Sequence, residues 1–193
     1  MEEFKEYACL VNNYIKIGEF SVRPIQKEHI ERIREWRNSQ IKFLRQDKLI
    51  SELEQINYFK RNVWIEMEKI NPKNILLIFE KDKIPIGYGG LVHISWENKR
   101  SEISFLLDPI FLKNKKEYKI NFLNFLKLIK TIAFKDLCLN KIFTETFSSR
   151  NSHLEILEES GFLREGKFKK HVKVGKIFED SIFQGLLKKD YEK

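Results

Sequence analysis

Apolar positions along this chain change period several times, and each change marks an element. "FSVRPI" (20–25) has the short β-rich run of a strand, with Pro24 ending it. In "KEHIERIREWRN" the apolar residues Ile30, Ile33 and Trp36 stand three apart, on one face of a helix. A second helix follows in "ISELEQINYFKRNVWIEM". Ser51 and Glu54 have capping-box spacing, and Leu53, Ile56 and Tyr58 or Phe59 fall on one side. After "NPKN" the period drops to two. "ILLIF" and "IGYGGLVHISW" are separated by the charged turn "EKDK", and "SEISFLL" follows the polar turn "ENKR", which predicts an antiparallel meander. Gly87, Gly89 and Gly90 there permit a bulge or a close backbone approach.

A helical period returns at about residue 120 and runs to 134. Ile120, Leu123, Leu126, Ile129 and Ala133 form one stripe, with Phe122 and Phe125 beside it. "KIFTETF" (141–147) is a strand. "NSHLEILEESGF" is a short helix, with Ser152 and Glu155 in capping-box spacing and Gly161 as C-cap. "GKFKKHVKVGKIFEDSIFQGLL" makes two strands around Gly175-Lys176. The order β-α-α-β-β-β-α-β-α-β-β defines an α+β domain with a mixed, mostly antiparallel sheet. It spans residues 20–193, with residues 1–19 as an N-terminal extension. The helical crossover between "SEISFLL" and "KIFTETF" makes those strands parallel neighbours. A ligand then belongs at their C-terminal ends. That brings together Phe105–Asp108, the lysine-rich "PIFLKNKKEYKINF" and Phe147–Asn151.

The 193 residues are 42% hydrophobic, with 16 Phe, and fit one globular domain. Cys9 and Cys138 have no metal or redox spacing, and no metal is expected. No run has signal-peptide or membrane-span character, so the expected location is cytoplasmic. The formal charge of +8 favours anionic partners, although Lys, Ile, Asn and Phe enrichment together also accompanies AT-rich coding. Lys167, Lys169, Lys170, Lys173 and Lys176 cluster in the final hairpin, as a solvated face or an attractor of a nucleotide-linked acceptor. No nucleic-acid motif accompanies the charge, so nucleic acid is not an expected partner.

Several fragments, in this order and spacing, resemble the GNAT N-acetyltransferase superfamily. They are "EWRN" (35–38), Ala133-Phe134, Leu139, Lys141-Ile142, "LEESGF", Glu165-Gly166, and Gly175 with Asp180. The likeness covers about residues 20 to 190 and is nearest the branch of ribosomal-protein N-terminal and aminosugar acetyltransferases. It implies transfer of an acyl group from acetyl-CoA to a primary amine, with no covalent enzyme intermediate. A backbone N–H of a bulged strand, here "SEISFLL", would polarise the thioester carbonyl. Phe105, Leu106, Leu107, Lys113, Lys115, Lys116, Asn151 and His153 would contact the donor. Glu102 would act as general base through water, with Glu145 as the second candidate. Arg37, Asn38, His93, Trp96 and Glu145 would line the acceptor pocket, although Trp36 beside them continues the core face. The acceptor is expected to be a small amine such as a nucleotide-linked aminosugar, used by a monomer or homodimer. A protein N-terminus, or a GNAT-fold binding module without catalysis, are the alternatives.

The chain departs from the family pattern at two places. The family's pyrophosphate-cradling glycines fall near Tyr118 and Ile120. Either the lysines supplement helix N–H groups there, or the loop is merely solvated, or donor binding is lost. The position of the family's usual Asn is Arg150. Leu157 stands where many members have an acidic Tyr, so it is core. The departing thiolate would then take its proton from water, Ser149 or another group.

Overall fold

A computed structural model of the chain describes residues 5–41, 44 and 46–193. Strand pairing begins before residue 20. β1 (Ile15–Ile17) turns at Gly18 into β2 (Phe20–Pro24) and pairs with it antiparallel. Tyr7 is buried just ahead of them, and Leu76 N–H donates to its hydroxyl at 2.8 Å. From Lys5 on, the expected extension over 1–19 is thus built into the same body.

α1 (Ile30–Ser39) buries Ile30, Ile33 and Trp36, as their spacing requires. α2 (Glu52–Tyr58) opens on the expected capping box between Ser51 and Glu54. It continues through a wider π turn (Phe59–Trp64) into α3 (Ile65–Met67). The buried stripe is Gln55, Phe59, Val63 and Met67, whereas Leu53 is exposed. A π turn holds more residues than an α turn, so a spacing of four keeps this face inward.

β3 (Ile75–Lys81), β4 (Ile84–Ser95) and β5 (Arg100–Leu107) form the expected meander. Asp82 and Lys83, both at positive φ, make its first turn. The irregularities lie on β4, where His93 is the extra residue at φ 52; the bulge that resemblance placed on "SEISFLL" belongs to its neighbour. A 3-10 turn (Pro109–Lys113) leads into α4 (Lys115–Thr131), a π turn (Ile132–Asp136) and β6 (Lys141–Phe147). α4 therefore starts five residues before the expected 120. Its buried face centres on Phe122, Phe125, Leu126 and Ile129, with Ile120 exposed. α5 (Asn151–Glu159), β7 (Leu163–Val174), β8 (Ile177–Leu187) and α6 (Lys188–Tyr191) complete the chain. Arg150 is the N-cap of α5, so the Ser152–Glu155 box does not form. Gly161 follows the helix at φ 94, as expected of a C-cap residue.

The described strands make one sheet in the order β1-β2-β3-β4-β5-β6-β8-β7. β5 and β6 are its parallel pair. α4 covers one face, where Phe105 lies 4.6 Å from Phe122 and 4.5 Å from Phe125, ring to ring. α5 lies on that same face, for Gln184 of β8 donates to Leu154 O. α1 lies on the opposite face, where Arg37 Nη1 donates to Tyr88 Oη at 2.9 Å.

The glycines of β4 make this packing possible. A Cβ on Gly90 would stand 2.0 Å from Ile75 O, at a φ of +148 that side chains rarely adopt. Gly90→Ala should therefore cost about 3 kcal/mol or more. Gly166→Ala on β7, with open space around it, should change stability by less than about 0.5 kcal/mol. Urea unfolding of both variants checks the contrast; equal losses would contradict the role assigned to the β4 glycines.

Candidate active site

The site begins where two strands part. β5 stays paired with β4 up to Leu107, yet it meets β6 only over Arg100–Glu102, opposite Lys141–Phe143. β6 meanwhile remains paired with β8 to Phe147. A wedge therefore opens between residues 103–107 and 144–147. Asp108 N–H donates to Ile86 O of β4. By the alternation of a strand, the backbone groups of Phe105 and Leu107 then face the wedge. Gln40 Nε2 donates to Leu107 O there, at 2.8 Å. Thr144 Oγ1 is buried beside the wedge and has no hydrogen-bond partner among the described residues. A polar ligand atom would satisfy it.

The outer mouth of the wedge is a cleft of about 660 Å³ walled by Leu106, Leu107, Lys115, Tyr118, Ser149 and Asn151. Arg150 and His153 border both this cleft and the inner wedge of about 230 Å³. Tyr118, in the first turn of α4, reaches across to them. Its hydroxyl lies 2.8 Å from His153 Nδ1 and accepts from Arg150 Nη2 at 3.1 Å. Burial raises the phenol above its ordinary pKa, while Arg150 opposes that. Burial, reinforced by the Arg150 charge, drives the His153 imidazole well below its ordinary value, so it is neutral. Phe122 stacks on His153 at 4.2 Å.

The start of α4 differs from the glycine cradle of the resemblance. Asn114 caps it, its side chain accepting from the Lys116 and Glu117 N–H groups. Tyr118 and Ile120 lie inside the helix. Two N–H groups that an anion would use are thus already engaged. Of the three expected lysines, Lys115 lines the cleft, while Lys113 and Lys116 do not wall it. Lys119 pairs instead with Glu159 of α5 at 2.6 Å.

Carboxylates gather on the opposite face of the sheet. Glu102 borders the wedge, with its Oε2 at 3.0 Å from His93 Nδ1. Glu145 borders both the wedge and a third cleft, of about 910 Å³, and accepts from Ser181 Oγ at 2.7 Å. Asp47, His171 and Lys173 rim that third cleft. His171 and Lys173 overhang it because β7 carries extra residues between Phe168 and Val172. Asp180 fixes this bulge by accepting from Lys170 N–H at 2.8 Å and from Lys167 Nζ at 2.7 Å.

Glu102, His93 and Glu145 are thus brought together, and Phe105, Leu106, Leu107, Lys115, Ser149, Asn151 and His153 border the outer cleft. Arg37 and Asn38 border none of these clefts. Asn38 holds the segment at Ile50 through its backbone N–H and carbonyl, and Arg37 holds Gln46 and Tyr88. Trp96 Nε1 donates to Pro72 O at 2.8 Å and packs against the core, away from the wedge. His153, the third residue of α5, is buried. Tyr118, Thr144 and Gln40 were not among the expected site residues. The Asn114/Glu117 spacing, which marks a helix start, would have placed Tyr118 on the Phe122 and Phe125 face. Among the described residues no cluster of His, Cys, Asp or Glu is placed to hold a metal, and no helix is long and apolar enough to cross a membrane.

The parted parallel strands, with helix starts at both of their ends and carboxylates on the far face, define an acyl-transfer architecture. A family model described as an acetyltransferase (GNAT) domain matches residues 22–183. The chain belongs to the GNAT acetyltransferase family, and is an acyl-CoA-dependent N-acetyltransferase of that type. Its fold is similar to that of spermidine N-acetyltransferase from Vibrio cholerae, solved in complex with CoA and spermine. The TM-score is 0.78 at 16% identity, covering 91% of this chain and 99% of that one. A GNAT-family acetyltransferase from Bacillus anthracis matches with TM-score 0.69 and 19% identity, covering 91% and 99%.

His153 gives the site a pH signature. Unfolded, its imidazole takes up a proton near pH 6.5, whereas folded it does so only well below that. Between those points the unfolded chain binds more protons, so acidification favours unfolding by about 1.4 kcal/mol per pH unit. His153→Phe, which keeps a ring against Phe122, should remove about one proton from this slope. Urea midpoints at pH 7 and pH 5 measure it, and an unchanged slope would place the proton uptake elsewhere.

Proposed function

We propose that the protein transfers an acetyl group from acetyl-CoA to a primary amine borne on a molecule that also carries an anionic group, a nucleotide-linked aminosugar being the type. The observation that carries this reading is the charge arrangement of the acceptor side. Glu102 and Glu145 form an acidic floor, and the rim carries Lys173 and His171 together with Asp47, His171 facing Glu145 at 3.9 Å. An ammonium group suits the floor and a phosphate-type group suits the rim. A polyamine would gain from the floor and from Asp47 and meet repulsion at Lys173.

The donor, when bound in the wedge, supplies the acyl group as a thioester. Phe105 and Leu107 turn backbone groups toward it, and an N–H there would polarise the carbonyl. Thr144 Oγ1 offers the donor arm a buried hydrogen-bonding group. Lys115 places a cation along the outer cleft for its phosphates. Glu102, steadied by His93, would take the ammonium proton directly or through one water, and the neutral amine then attacks.

The test is a panel of nucleotide-linked aminosugars, spermidine and N-terminal peptides, assayed with acetyl-CoA. Saturating acetyl-CoA at 100 times Kd should add about 2.7 kcal/mol of stability. Anionic amines should be the best acceptors. Glu102→Gln should lower kcat about 10²-fold or more. Lys173→Glu should raise KM for an anionic acceptor several-fold and leave that for spermidine unchanged or lower. Preference for spermidine would overturn the acceptor reading, and absence of stabilisation by acetyl-CoA would overturn the donor.

A further inference from the structure

We propose that Tyr118 is the proton donor to the thiolate that leaves in the acyl transfer, with Arg150 and His153 holding its hydroxyl at the boundary between the outer cleft and the wedge. The inference rests on acyl transfer from a thioester to an amine, and not on the anionic character of the acceptor.

The geometry selects this residue. Tyr118 walls the outer cleft, and both of its polar partners border the outer cleft and the inner wedge alike. Its ring centroid lies 6.5 Å from that of Phe105, whose backbone faces the wedge from β5. The hydroxyl therefore stands beside the path along which a thioester would reach that backbone. The phenol oxygen accepts from Arg150 Nη2. With the His153 proton on Nδ1 it accepts a second bond, and its own hydrogen remains free to point into the cleft. Arg150, a cationic donor, stabilises the phenolate that forms when the proton leaves, and on that tautomer His153 adds a second donor. Ser149 lines the same cleft, but an aliphatic hydroxyl is a far weaker acid than a phenol.

The balance is complete without any further reactant. The amine nitrogen, after losing one proton to Glu102, forms the new C–N bond as the C–S bond breaks. The sulfur leaves with the bonding pair and takes the Tyr118 proton, giving the thiol. The second amine proton passes to solvent as the amide forms, the one net proton that the reaction releases. Solvent then reprotonates the phenolate and accepts the proton from Glu102, so the enzyme returns to its starting state.

The charged and titratable groups at the hydroxyl are Arg150 and His153 at the start of α5. Lys115 of α4 and Glu155 of α5 also line the cleft. Burial raises the phenol and Arg150 lowers it, so removing Arg150 should move its ionisation to higher pH.

Tyr118→Phe keeps the ring and deletes only the hydroxyl. Its affinity for acetyl-CoA, measured by calorimetry, should stay within about twofold of wild type, while kcat falls about 10²-fold or more. The alkaline limb of the wild-type kcat profile should vanish in Tyr118→Phe and shift upward in Arg150→Gln. Absorbance of ionised tyrosine, taken as wild type minus Tyr118→Phe, should show the same upward shift in the Arg150→Gln background. An unchanged kcat in Tyr118→Phe would overturn the proposal. Tighter acetyl-CoA binding with faster turnover would overturn it too, by showing that Tyr118 obstructs the cleft. A wild type that acetylates spermidine and no anionic amine would leave this proposal standing while removing the acceptor reading. A wild type that turns over no amine would remove both.

Discussion

The parting of β5 from β6 after Glu102 is the constraint on which the rest of the site depends. Each unpaired backbone group kept from water costs about 1–3 kcal/mol, so a sheet does not open at its centre without compensation. Here each strand keeps its other neighbour, β4 for one and β8 for the other, and the sheet survives. Gln40 of the segment after α1 satisfies the Leu107 carbonyl on one edge. On the face below, Phe105, Phe122 and His153 stack in sequence and exclude water from the floor. The opening is therefore polar along its edges and apolar beneath. That combination suits an amide-bearing, thioester-terminated arm.

The layout of the fold was legible because the strands obey simple rules. "SEISFLL", a long helix and "KIFTETF" can only be joined by a crossover, and the parallel pair follows. The β4 glycines also declare themselves, since their neighbours leave no room for a Cβ. Helix starts were harder to see. Lysines at 113, 115 and 116 look like a loop, and the decisive residue is Asn114, whose side chain caps the helix by accepting from the Lys116 and Glu117 N–H groups. At α5 the opposite happened. Ser152 and Glu155 have the spacing of a capping box, but Arg150 takes the N-cap position. With Ser152 as cap, His153 would open the helix at the surface; with Arg150 as cap it is the third helical residue and turns into the core.

The acceptor side was only half visible for a different reason. Glu102 and Glu145 sit on adjacent strands and share a face, which alternation alone can suggest. The rim cannot be read that way. His171 and Lys173 reach the cleft because β7 holds extra residues against β8, and Asp180 pins the bulge in place. A uniform two-residue period from Phe168, which shares the Glu145 face, would have turned His171 and Lys173 together to the other face of the sheet. Arg37 and Asn38 border none of the described clefts; their side chains hydrogen-bond Gln46, Tyr88 and the backbone of Ile50 instead.

The early start of α4 exchanges one kind of anion recognition for another. Backbone N–H groups at a glycine cradle are fixed dipoles, and ordering them for a phosphate costs little additional entropy. In this chain the Asn114 side chain engages two such groups, and a helical tyrosine stands near the position of the first glycine. On the proposed reading, the phosphates of the donor then rely on Lys115 at the outer mouth. Exposed lysines are mobile and their attraction is screened by salt. Arg150 is different in kind. It heads α5, it is half-buried, and its guanidinium is held by the Tyr118 hydroxyl. On the same reading that hydrogen bond ties Arg150 to the chemistry at sulfur, which the long arm of the donor separates from its phosphates.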